Sequence, residues 1–116
     1  MSGIVFLKCV DIDILKEFYM KTVGMSVWLE QPDISILRHG NMLLGFHRAG
    51  SVDRECLITF FYETREEVDG MFAKMGDRAT TQPRINDKYR IYNFFAKDPE
   101  GRNIEFQAFL HPVEPI

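Results

Sequence analysis

Glu105 is the residue of this chain best placed to do chemistry. It lies in the run Ile104 to Phe109, where strand alternation puts Glu105, Gln107 and Phe109 on one face and Ile104, Phe106 and Ala108 on the other. A carboxylate on such a face can anchor a cation or a hydrogen-bond donor, or serve as a general base. Its bland alternative is one half of a buried polar pair. The other reactive types are scattered. His39, His47 and His111 form no short H-x-x-x-H pair, and they are expected at exposed or cleft-edge positions. Cys9 and Cys56 sit inside apolar, strand-like runs, which suits small buried hydrophobes better than a disulfide or a C-x-x-C site.

These residues must be carried by short strands and two helices. Ile4 to Val10 alternates Val5, Leu7 and Cys9 against Phe6, Lys8 and Val10, as a strand with two faces does. The period then changes: Leu15, Phe18, Tyr19 and Thr22 or Val23 recur at helical spacing, Asp11 or Asp13 can cap the start, and Gly24 supplies a left-handed stop. The spacing predicts a helix over roughly 13–23. Strands are expected at Met25 to Glu30, Ile34 to His39 and Met42 to Arg48, divided by Gln31-Pro32-Asp33 and by Gly40-Asn41. The pattern then begins again. Ile58, Phe60 and Tyr62 alternate, Thr64-Arg65-Glu66-Glu67 reads as a capping box, and Val68, Met71, Phe72 and Met75 form a helical stripe ended by Gly76. Moved along by 53 positions, Val5, Leu7, Leu15, Phe18 and Tyr19 fall on Ile58, Phe60, Val68, Met71 and Phe72, the mark of a structural repeat. Further strands are expected near Ala79 to Gln82, Ile91 to Lys97 and Ile104 to Phe109. Asp98-Pro99-Glu100-Gly101 has the residue order of a type I turn between the last two. His111 to Ile116, with two prolines, reads as an extended surface segment.

A strand entering Asp11-Ile12, a helix with Phe18-Tyr19 and Val23-Gly24, the repeat, and the run Phe95-Ala96-Lys97-Asp98-Pro99-Glu100-Gly101-Arg102-Asn103-Ile104-Glu105-Phe106 together resemble the vicinal-oxygen-chelate superfamily. That superfamily contains glyoxalases, bleomycin-resistance proteins, fosfomycin-resistance enzymes and extradiol dioxygenases. The resemblance covers nearly the whole chain. It implies an α+β fold of two βαβββ modules, approximately 1–50 and 54–110 of a single domain spanning 1–116, whose sheets form a cup with the helices outside. In metal-dependent members a divalent ion is held there by a histidine at the start of the first strand, a histidine or glutamine at the start of the fifth, and a glutamate on the last. Here Glu105 matches the third position. The first falls on Ile4 and the second on Leu57, or on Cys56 if the register slips by one, so the usual metal centre is not expected and no cofactor is assigned. The resemblance also implies that Glu105 faces the cup, where Lys8 has the parity to pair with it. Phe6, Val10, Trp28, Thr59, Phe61 and Gln107 have matching parity, with Trp28 grouped with Ser26 and Glu30. Glu105, Lys8, Trp28, Phe6, Phe61 and Gln107 are therefore the candidate ligand-binding residues.

Composition narrows the function classes. An apolar share of 46% spread along 116 residues suits one ordered domain with a real core. Fourteen basic against 17 acidic residues, net −3 and mixed along the chain, leave no basic patch for nucleic acid. No apolar stretch approaches the roughly 20 residues that span a bilayer, and a cytoplasmic location is expected. The expectation is a homodimer, similar to the bleomycin-resistance branch, that binds a small organic molecule without a metal. The alternative is a divergent glyoxalase-, lyase- or dioxygenase-type enzyme using Glu105 as general base.

Overall fold

The computed structural model describes residues 1–116 and contains eight strands and two α-helices. They run β1 (Val5–Cys9), α1 (Ile12–Glu17), β2 (Ser26–Gln31), β3 (Ile34–His39), β4 (Met42–Arg48), β5 (Leu57–Tyr62), α2 (Arg65–Met75), β6 (Arg84–Asn86), β7 (Ile91–Lys97) and β8 (Asn103–Phe109). The strands make two four-stranded sheets of one topology, β1-β4-β3-β2 and β5-β8-β7-β6. In each, the strand before the helix pairs in parallel with the module's last strand, and the remaining pairs are antiparallel. The repeated change of period in the sequence is thus a repeated βαβββ architecture. The chain divides into two compact units, Met1–Glu55 with Pro99–Gly101, and Cys56–Asp98 with Arg102–Ile116. No helix is long and apolar enough to cross a membrane.

Local chemistry explains the helix boundaries. Asp11 caps α1 by accepting from the Ile14 amide at 3.1 Å. Thr64 and Glu67 exchange two bonds at the start of α2, Oγ1 accepting from the Glu67 amide at 3.1 Å and the Glu67 carboxylate from the Thr64 amide at 3.2 Å. The first helix differs from the 13–23 expectation, for α1 begins at Ile12 and the chain widens into a π-helical turn over Phe18–Val23. Phe18, Tyr19 and Val23 are all buried, and the five-residue step from Phe18 to Val23 returns to one face only in an i→i+5 turn. Gly24, at φ 98°, closes it by donating to the Tyr19 carbonyl at 3.0 Å.

Each sheet buries one face against its own helix. In the first unit Leu7, Cys9, Leu37, Leu44 and Phe46 join Leu15 and Tyr19, whose ring stacks on Phe46 at 5.2 Å. In the second, Phe60, Phe94 and Phe106 form an aromatic stack, with ring centroids 5.5 Å apart for Phe60–Phe106 and 5.1 Å for Phe94–Phe106. Phe72 of α2 meets Phe94 edge-on. Both faces follow from the strand alternation read in the sequence.

Two strand expectations shift. Ala79 to Gln82 does not form a ladder: Ala79 makes an isolated bridge to Ala96, and the Thr80 and Thr81 amides both turn to the Phe95 carbonyl. Regular pairing starts only after Pro83, which has no amide to donate, as Arg84–Asn86 against Asn93–Ile91. On β2 a bulge falls between Val27 and Leu29. Leu29 therefore pairs with Ile36 and Glu30 with Ser35, so Glu30 leaves the face of Ser26 and reaches Lys16 of α1 in an ion pair. The Lys16 ammonium holds the Glu30 carboxyl below its usual range.

Between β7 and β8, Asp98-Pro99-Glu100-Gly101 turns the chain as its residue order predicts, with the Asp98 amide donating to the Arg102 carbonyl at 3.0 Å. Asp98 and Arg102 are fully buried and bonded at 3.1 Å. Glu100, grouped with the first unit, accepts from the Val10 and Asp11 amides at 3.0 and 2.8 Å.

Candidate functional site

The open face of the second sheet, away from α2, is built from β5, β8, β7 and β6. Cross-strand pairing sets two rows upon it: Thr59, Glu105 and Phe95, then Phe61, Gln107, Asn93 and Arg84. Glu105 is 7% exposed at the centre. Thr59 Oγ1 donates to one carboxylate oxygen at 2.8 Å, and Asn93 Nδ2 donates to the other at 2.7 Å. Both oxygens are therefore fixed by neutral donors from the flanking strands, and no ion pair forms on Glu105.

Such an arrangement orients the carboxylate without neutralising it. Taking a carboxylate out of water costs several kcal/mol, of which hydrogen bonds from two neutral donors return only part. Gln107, on the same face, makes no side-chain hydrogen bond within the chain. Phe61 is 45% exposed, and Phe109 meets it edge-on at 5.6 Å. The face thus combines a held anion, an unengaged amide and accessible aromatic surface.

The remaining candidates lie in the first unit. Phe6 and Lys8 share the open face of its sheet, where Phe6 pairs with Gly45 and Lys8 with His47. A Cβ on Gly45 would meet the Phe6 ring at 2.5 Å, so the ring rests on the bare backbone of β4. Lys8 is exposed and its main-chain amide donates to Asp53 at 2.7 Å. Trp28 occupies the β2 bulge and is 46% exposed. Asn93 is the partner of Glu105 that sequence reasoning does not single out. The signal for it is the alternation of Ile91, Asn93 and Phe95, which places an amide among apolar neighbours on one strand face.

The titratable groups do not converge on a cation. Of the residues that the resemblance sets at two of the ligand positions, Ile4 and Leu57 carry no side-chain donor atom, and Cys56, the alternative to Leu57, offers a single thiol. No group of three His, Cys, Asp or Glu side chains is gathered where it could hold a metal ion. His39 is half-buried, and desolvation pushes its pKa down; His47 is exposed on β4. Cys9 is buried and Cys56 partly so.

Comparison with solved structures defines the class of fold. The chain superposes on a glyoxalase/bleomycin resistance protein/dioxygenase family enzyme from Burkholderia phytofirmans PsJN with TM-score 0.81 and 19% identity, covering 92% of this chain and 97% of that one. A lactoylglutathione lyase from Agrobacterium tumefaciens matches with TM-score 0.76 and 18% identity over 93% of this chain and 92% of that one. A virulence protein from Salmonella typhimurium matches with TM-score 0.74 and 17% identity over 94% of this chain and 96% of that one. No protein-family model and no curated protein matches the chain. The fold is the one the glyoxalase, bleomycin-resistance and dioxygenase proteins share, as the sequence resemblance implied. Hosts so differently named on one fold leave activity to the site residues. The donors present do not fit the metal centre of the metal-dependent members: the resemblance sets Ile4 and Leu57, or the thiol of Cys56, at two of its positions, and Glu105 at the third is already bonded at both oxygens.

Proposed function

We propose that this chain binds a small organic molecule on the open face of its second sheet, without a metal, in the manner of a bleomycin-resistance-type protein rather than a chelating enzyme. Glu105 is the polar anchor, with Gln107 beside it and Phe61 as an apolar wall. Phe6, Lys8 and Trp28 give the first unit's exposed face a further ligand-contacting role. The observation that carries the proposal is the Glu105 carboxylate, buried to 7% exposure and held at both oxygens by neutral donors alone. An anion so placed favours a ligand that brings positive charge and N–H donors, and aromatic neighbours favour a flat one.

Benzamidine supplies a planar ring, a charge and N–H groups in a single probe. Calorimetric titration is expected to show binding to the wild type and a loss of about tenfold or more in Glu105→Gln, since a charge-assisted hydrogen bond contributes roughly 1.5–3 kcal/mol. Equal affinity of the two proteins, or no binding to the wild type, would sink the assignment of Glu105 as anchor.

A further inference from the structure

A second site, separate from the anchor, is built at the end of the same unit. Where β5 and β8 finish, residues 111–116 border a cleft of about 420 Å³, a volume within the range of small-molecule pockets. Its aromatic wall consists of Phe61, Phe109 and His111, joined edge to face with ring centroids 5.6 and 5.7 Å apart. Tyr62 adds a further ring, and Val113 and Ile116 bring aliphatic surface. Phe61 stands opposite Gln107, two residues along the strand from the Thr59–Glu105 pair, so the cleft begins about 7 Å beyond the anchor. Glu105 does not line it.

The charge of this cleft has one sign. Glu63 and Glu114 both line it, both are exposed, and neither forms an ion pair or hydrogen bond within the chain. No Lys or Arg is among the lining residues. His111 is the one other titratable base, and its Nδ1–H donates to the Pro112 carbonyl at 3.0 Å, which turns that edge of the ring away from a ligand. Ring faces are electron-rich and attract cations within about 6 Å of the centroid, while two carboxylates at the rim add to the same field. Ring faces with no Lys or Arg beside them suit an organic cation that presents methyl or methylene groups to the walls, with the rim carboxylates adding attraction at longer range.

We infer that the cleft bordered by Phe61, Phe109, His111, Glu63 and Glu114 is a binding site for quaternary-ammonium-type organic cations. Such a group gains from the ring faces and the rim carboxylates, and its bulk prevents the close N–H contact on which the Glu105 anchor depends. The two sites share Phe61 as a wall but have different anchors, so they take different members of the cation class, and the Glu105 and Glu63/Glu114 variants tell them apart.

The probe is phenyltrimethylammonium, titrated at low ionic strength and pH 8, where an ordinary histidine is neutral. Amide resonances of Phe61, Phe109 and Val113 are followed by NMR. The expected result is saturable movement of those resonances, with affinity reduced about tenfold in a Glu63→Gln/Glu114→Gln double variant and changed less than about twofold in Glu105→Gln. Both substitutions in the double variant are on exposed residues, so the fold is not at stake. The neutral isostere tert-butylbenzene should bind more weakly than the cation. Absence of movement at those amides at millimolar probe, unchanged affinity in the double variant, or loss of binding in Glu105→Gln would each overturn the assignment. The benzamidine titration tests Glu105 independently in every case, because phenyltrimethylammonium has no N–H to offer that anchor.

Discussion

Replacing Glu105 by Gln and by Leu separates what its charge does from what its hydrogen bonds do. The carboxylate accepts one bond from Thr59 and one from Asn93. Bonds to a charged group contribute about 1.5–3 kcal/mol each and neutral ones about 0.5–1.5, so Glu105→Gln weakens the pair by about 2–3 kcal/mol in total. The same change removes the cost of burying a carboxylate, which is several kcal/mol. The Thr59 hydroxyl can rotate to accept from the new amide, so the site stays satisfied. The two effects nearly cancel, and Glu105→Gln should alter stability by no more than about 1 kcal/mol. Glu105→Leu has no such remedy. It leaves the Asn93 amide without its acceptor in a buried position and the Thr59 hydroxyl reliant on water, at a cost of about 2–4 kcal/mol. Urea unfolding with the slope held in common reads both values from the shift in midpoint. If Glu105→Gln falls as far as Glu105→Leu, the charge is required by the fold, and its role as a ligand anchor loses its support. If Glu105→Leu costs nothing, the two bonds do not form in solution.

Gly45→Ala should destabilise the first unit by about 1–2 kcal/mol by lifting the Phe6 ring from β4, yet be neutral or mildly stabilising in a Phe6→Ala background, because the strand then gains from losing a glycine. A double-mutant cycle with no coupling between the two would refute that contact. Burial, then the Glu67 charge, raises the Tyr62 hydroxyl pKa to about 12, so ultraviolet titration should show a late tyrosine step that Tyr62→Phe removes. The neutral phenol is the form the fold favours. Its contribution is thus complete below the ordinary tyrosine pKa of about 10 and is lost as pH rises through about 12; a Tyr62 step near pH 10 would contradict the burial. Elemental analysis should find no stoichiometric zinc, manganese, nickel or iron in the purified protein, and one tightly bound ion per chain would overturn the metal-free proposal. We propose a symmetric homodimer as well, so sedimentation should show a dimer at micromolar concentration, and a monomer would overturn it.

Features whose causes lie within a few residues are legible in the chain alone. Period-two runs mark every strand but β6, the change to helical spacing marks both helices, and Asp11, Thr64 and Glu67 cap those helices with bonds spanning three residues. The face of Glu105 is legible for the same reason, since alternation fixes which side of β8 a residue occupies. Whatever depends on register between distant segments is settled only when the sheets assemble. The bulge at Trp28 moves Glu30 from the open face to the helix side, where Lys16 meets it, and no local pattern marks the extra residue. Pairing between β7 and β8 brings Asn93 diagonally onto Glu105, and pairing of β5 with β8 brings Thr59 from 46 positions away. Strand pairing is a non-local choice made by whole faces seeking burial. For that reason the sequence could name the carboxylate, while only the assembled sheet could name the two donors that hold it.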